Sequence, residues 1–140
     1  MGTKDTIYDY LKASKYMSLA TASLDGKPEV ATVEYIVDGD NIIINTDTRY
    51  RKYQNVIANQ QVACVVTTDH DQTLQFDGTI HQLTDVAAEA ARLLLLAADP
   101  SFIDYFTVKY TRFFKITPTW LRLRDYTTQL MMTTEYRPKS

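Results

Sequence analysis

Two Asp-Gly turns, Asp25-Gly26 and Asp38-Gly39, sit between runs rich in β-branched residues. This punctuation constrains the fold more than any other feature of the chain. Gly adopts the positive φ angles that tight turns require, and Asp bonds its own backbone, so each dipeptide reverses a strand. The reading is a strand over residues 16–23, a turn through Leu24-Asp25-Gly26-Lys27-Pro28, and a strand over 29–37. A second turn, Asp38-Gly39-Asp40-Asn41, leads into a strand over 41–46 that contains Ile42-Ile43-Ile44. Three strands joined by such short loops predict an antiparallel meander.

Further strands are expected over 61–68 and 73–83, joined by the turn Asp69-His70-Asp71-Gln72, with Gly78 marking a bulge or a close backbone approach. Pro118 separates strands at 112–117 and 119–126, Leu130, Met131 and Met132 offer one more, and residues 137–140 should fray. A helix over 5–14, capped by Thr3 or Asp5, has a narrow apolar face of Ile7, Tyr10 and Leu11 suited to a lid or flank. Thr84 and Asp85 open another, VAAEAARLLLLAA, which Asp99-Pro100 stops. Its leucines make it apolar on nearly all sides, which fits either an internal core helix or one whose second face a partner or a flanking segment covers. Residues 102–110 show no clear pattern. At least six strands, with helices inserted between hairpins, predict a mainly β, α+β fold: an antiparallel barrel with flanking helices, in one domain over 1–140.

Composition chiefly excludes. A formal charge of −2 and a pI near 5.6 give no general attraction to nucleic acid or an anionic membrane. The single cysteine, Cys64, lies in an apolar run and reads as core. No apolar stretch approaches the ~20 residues of a membrane span and no leader pattern opens the chain, so a cytoplasmic location is expected. The glycines at 2, 26, 39 and 78 form neither GxGxxG nor a P-loop, and no GxSxG occurs. His70 and His81, the only histidines, have no metal-ligand spacing and read as turn and strand residues; no metal site is expected. Asp69, Asp71 and Asp77 read as turn and strand-end residues.

The basic cluster Arg49, Arg51 and Lys52 carries the chemistry, at the start of a helix in which Tyr53, Val56 and Ile57 recur at helical spacing and Asp47 or Thr48 can cap. Cations in a first turn are unfavourable for the helix by about 0.3–1 kcal/mol each, since the free N–H groups there are already positive. A bound phosphate reverses that sign. The alternative is a solvated face whose arginines reach Asp47 or Glu34. If a phosphate is held, Val30, Ala31, Thr32 and Val33 form a neighbouring strand along which a planar ligand could lie. An exposed cationic and aromatic surface for a nucleic acid or protein, built from Arg49, Tyr50, Arg51, Lys52 and Tyr53, is a third reading.

The order SLATAS, GKPEVATVEYIVDGDNIIINTDTRYRKYQNVIANQQVACVV, FDGTIHQL and FFKITPTWLRLRDY resembles the pyridoxamine 5′-phosphate oxidase-like flavoproteins with a split β-barrel, from Tyr16 to Tyr126. The resemblance implies a homodimer with two cofactor sites at its interface, each holding FMN, with F420 or haem as alternatives in the same scaffold. It implies that Thr46, Arg51 and Lys52, with Asn45 before the threonine, bind the flavin phosphate. The backbone of Val30, Ala31, Thr32 and Val33 would meet the isoalloxazine edge. Tyr50 stands where the oxidase has a small hydroxyl residue, and the oxidase's C-terminal substrate cluster is absent or altered, with Trp120, Arg122 and Arg124 near its place. The implied function is therefore an FMN-dependent oxidoreductase acting on an unidentified small molecule, or a non-catalytic flavin-binding module, and not the oxidase activity itself. No catalytic side chain is assigned, because the flavin performs the electron transfer.

Overall fold

The computed structural model describes residues 2–67, 71–127 and 131–139. His70, Asp69 and Leu130, which the sequence places in a turn and a terminal strand, lie outside these. The helices are α1 (Thr3–Lys12), α2 (Arg51–Ala58) and α3 (Asp85–Ala98), with a 3-10 helix at Pro100–Asp104. The strands are β1 (Tyr16–Ala22), β2 (Pro28–Glu34), β3 (Ile36–Asp38), β4 (Asn41–Asp47), β5 (Gln61–Thr67), β6 (Gln72–Leu83), β7 (Thr111–Asp125) and β8 (Met132–Tyr136).

The strands form one sheet in the order β2-β1-β5-β6-β7-β4-β3, with β8 added beside β7. Each pairing is antiparallel. This corrects the meander: the expected strand over 29–37 divides at Tyr35, and its halves lie at opposite ends of the strand order. One residue spans at most about 3.6 Å, so the two ends of the sheet must come together, and the sheet curls into a split barrel. Tyr35 holds the junction. It is 2% exposed, its N–H donates to the Lys15 carbonyl at 3.0 Å and its hydroxyl donates to the Leu11 carbonyl at 2.7 Å. Burial pushes its pKa up to about 12.

A second correction concerns Pro118, which interrupts nothing. β7 runs through it, because the pairing register shifts between Asp77 and Gly78, and Gly78 faces Pro118 while Asp77 faces Trp120. The missing proline N–H falls at the bulge, where a ladder bond is already lost. A Cβ on Gly78 would stand 2.8 Å from the Thr117 carbonyl oxygen, so the close backbone approach expected there is real.

The barrel is filled by Leu19, Ile42, Ile44, Phe76, Phe114 and their neighbours. α1 belongs to this core rather than lying outside it as a lid, since Ile7 and Leu11 are 0% exposed. It starts after Gly2 with no side-chain cap, so neither Thr3 nor Asp5 caps it. On the other face of β4 a smaller core joins Ile43 and Phe113 to Ala91 and Leu95 of α3. The isoleucine run is therefore explained by a strand covered on both faces. α3 is a surface helix, with Val86, Leu93 and Leu94 exposed, so the internal-helix alternative fails. No described helix is long and apolar enough to cross a membrane.

Candidate functional site

β4 delivers Asn45 and Thr46 to the edge of the barrel, and the chain then turns through residues 48–50 into α2. Alternation along the strand sends Thr46 to the same side as Ile42 and Ile44, and it is 5% exposed. Its hydroxyl has no hydrogen-bond partner among the described residues. A buried polar group left unpaired costs about 1–3 kcal/mol, so this atom marks a place where a ligand group would be accepted. A cavity of ≈290 Å³ opens at this point.

Of the residues expected in the site, Thr32, Val33, Asn45, Thr46 and Lys52 line this cavity. Val30, Ala31 and Arg51 do not. β2 ends the strand order and is bonded only to β1, so its other edge offers backbone groups beside the cavity. Val30 is 67% exposed on that strand, and Ala31 is half-buried opposite Leu19.

The three cations have different environments. Arg49 precedes the helix and is neutralised: its Nε and Nη2 donate to Asp47 at 2.9 and 2.6 Å, and its guanidinium lies 3.9 Å above the Tyr110 ring. That side-chain pairing holds the Asp47 carboxyl down at about 2. Arg51, with an 80% exposed side chain, turns to Glu29 at 3.3 Å and lines a separate recess of ≈210 Å³ with Lys27 and Asn55. Lys52 makes no salt bridge among the described residues, sits with its Nζ 4.7 Å from the Tyr50 ring centre, and is half-buried. Burial lowers its pKa, against the pull of Glu29 and Asp47. The salt-bridged alternative thus describes Arg49 and Arg51, with Glu29 as an unforeseen partner; Arg49 also lines the cavity, and Lys52 is the cation there that has no ion-pair partner among the described residues.

No side chain caps α2, whose N-cap is Tyr50 rather than Asp47 or Thr48. Asp47 instead accepts the backbone N–H of Arg49 at 2.8 Å. A positive helix start, a half-buried lysine and an orphaned hydroxyl form a set suited to a phosphate. Glu34 also lines the cavity, with its pKa raised first by burial and next by Asp99.

Phe102, Tyr105 and Thr111 complete the wall and were not foreseen. The spacing of Phe102 and Tyr105, three apart after a helix-starting Asp99-Pro100, was the available signal, since such positions share one side of a 3-10 turn. The described histidine, His81, is exposed and contacts Gln60 at 3.2 Å, away from this cavity. Among the described residues no metal-ligating cluster occurs. Burial pushes the Cys64 thiol well above its usual range, as a core cysteine requires.

A curled antiparallel barrel with a basic helix start beside a free strand edge defines the class of small split-barrel proteins. The sequence profile of the pyridoxamine 5′-phosphate oxidase family matches residues 3–125, and the chain belongs to that family. No curated protein matches it. Among solved structures it is similar to a haem-binding protein from Mycobacterium smegmatis, at TM-score 0.81 and 14% identity over 96% of this chain and 58% of that one. The chain thus spans little more than half of that protein. It is also similar to the haem storage protein HutZ from Vibrio cholerae, at TM-score 0.72 and 16% identity over 96% of each chain. An FMN-binding, pyridoxamine 5′-phosphate oxidase-related protein from Nostoc punctiforme matches at TM-score 0.73 and 12% identity, over 98% of this chain and 87% of that one. At these identities the likeness concerns the fold.

Proposed function

We propose that this protein binds FMN and acts as a flavin-dependent oxidoreductase on a small molecule. The observation that carries this reading is the buried, unpartnered Thr46 hydroxyl beside half-buried Lys52. Thr46, Asn45, Lys52 and the first amides of α2 hold the phosphate. The free edge of β2, from Val30 through Ala31 and Thr32 to Val33, meets the ring system. Arg51 is available to the same phosphate, since its exposed pair with Glu29 is worth only about 0–1 kcal/mol and exchanges readily. Bound FMN supplies hydride and electron transfer, while these residues bind it, orient it and exclude water. The working unit is a homodimer with the cofactor at its interface; the exposed Val86, Leu93 and Leu94 on α3 support a covered second face.

The test is an absorption and fluorescence titration of the purified protein with FMN and with riboflavin, which lacks the phosphate. FMN should bind at least tenfold more tightly, and equal affinity for the two would overturn the phosphate assignment. Reduction of the bound flavin by NAD(P)H or small reductants separates an enzyme from a non-catalytic carrier. The haem-binding neighbours give a second reading, in which the same scaffold holds haem. Among the described residues no histidine, cysteine or methionine lines the cavity, which leaves Tyr50 and Tyr105 as residues able to ligate iron. A Soret band on adding haemin, without FMN binding, would favour that reading.

A further inference from the structure

A second cavity, of ≈340 Å³, lies between α3 and the segment that follows the 3-10 helix. Its walls are apolar, formed by Leu83, Ala88, Phe106 and Phe113, with Ile103 and Val108 exposed at its rim. The volume falls at the small end of ligand cavities, about 300–1,000 Å³, which combine apolar walls with a few placed polar groups. Phe106 and Phe113 meet edge to face, with centroids 5.2 Å apart and planes at 87°. Phe106 is also stacked on Phe102, with centroids 5.1 Å apart and planes at 10°, so the three rings form a fixed aromatic wall against which an aromatic ligand packs.

The charges at the rim select the ligand. Arg92 is committed to Glu89, through Nη2 at 2.6 Å and Nε at 2.9 Å. Arg112 has no carboxylate within ion-pair distance among the described residues; Asp47 is sensed only as a more distant charge. The Arg112 Nη1 donates to the carbonyls of Val108 at 3.2 Å and Thr111 at 2.9 Å, which fixes the guanidinium at the rim. Two cations against one acid leave the rim positive. A guanidinium held this way offers charge-assisted hydrogen bonds to a carboxylate. Of the exposed apolar side chains of α3, Val86, Leu93 and Leu94, none lines this cavity.

We propose that this cavity binds a small aromatic monocarboxylate, its ring held by Phe106 and Phe113 and its carboxylate by Arg112. The two cavities adjoin at Thr111, but Phe106, Phe113 and Arg112 line this one and not the cavity assigned to FMN, so each reading is tested by its own side chains.

The test is isothermal titration of the full chain with 2-naphthoate, 2-naphthalenemethanol and 2-naphthylmethylamine, which share a ring system and differ in charge. The carboxylate should bind at least tenfold more tightly than the alcohol, with the amine weakest. Arg112→Gln should abolish that preference, and Ala88→Leu, which fills the cavity, should abolish binding. Should Ala88→Leu fail to fold, Val108→Asp at the exposed rim must weaken the carboxylate alone. Equal affinity for the three probes would overturn the proposal. So would no binding of any of them, as when a second copy covers the opening, or an unchanged affinity in both Ala88→Leu and Val108→Asp. FMN titration of the same variants should be unaffected.

Discussion

The two faces of β4 meet different kinds of interior. Ile42 and Ile44 enter a barrel whose largest side chains are essentially inaccessible, while Ile43 enters a shallower core under α3, flanked by the ≈340 Å³ cavity. One strand thus borders a filled region and an unfilled one. The barrel is closed by backbone pairing from many strands, whereas the region under α3 is covered by a single helix and an irregular segment. Close packing follows where many elements converge, and space for ligands survives where few do.

The largest test of this contrast is truncation. Phe76→Ala inside the barrel should cost about 3–5 kcal/mol, as buried aromatic deletions do. Phe106→Ala, at a half-buried site beside the cavity, should cost less than half as much in urea unfolding. Comparable losses would show that the outer region is as tightly packed as the barrel. Next in size is a contrast at the barrel mouth: Lys52→Ala should weaken FMN binding by about 1.5–3 kcal/mol, the loss of one charged hydrogen bond. Arg51→Ala should do less, because Arg51 faces Glu29, and the reverse order would place Arg51 rather than Lys52 in the site.

Addition sharpens the comparison further. Gly78→Ala forces a methyl against the Thr117 carbonyl and should cost about 1–3 kcal/mol, whereas Ala88→Leu, with a cavity to grow into, should cost less than about 1 kcal/mol. Thermal unfolding of both variants checks this. The smallest effect is in acid. Asp47 has its carboxyl lowered by Arg49 to about 2 from an ordinary 3.8. The folded state thus binds fewer protons there than the unfolded state, so its contribution to stability is complete above the ordinary value and is lost as pH falls toward 2. Asp47→Asn should flatten the acid limb over that interval.

Much of the barrel was legible because turns and strands are local. Asp25-Gly26 and Asp38-Gly39 fall at hairpins, both glycines take positive φ, and Gly78 falls at the bulge. Thr46 and Lys52 were readable in the same way, as a strand end followed by a helix start. The neighbouring cations were not separable in sequence. Residues 51 and 52 are adjacent in the chain but project about 100° apart around a helix, so one meets Glu29 and the other the cavity. Phe102, Tyr105 and Thr111 come from far along the chain: the 3-10 segment carries in the first two, and pairing of β7 with β4 sets Thr111 opposite Asp47.

The sequence by itself determined the turns, where most strand residues lie, the start of α3 and the presence of unusual positive charge after β4, because each depends on residues within a turn or two of one another. Only the tertiary structure decided that the strand over 29–37 breaks at Tyr35, that β7 continues through Pro118, and which cation is half-buried without an acid partner. Those outcomes depend on strand partners and covering elements distant in the chain. A single residue's rotation at Tyr35 moves the following strand to the other end of the sheet order, and only closure of the barrel makes that the favourable arrangement.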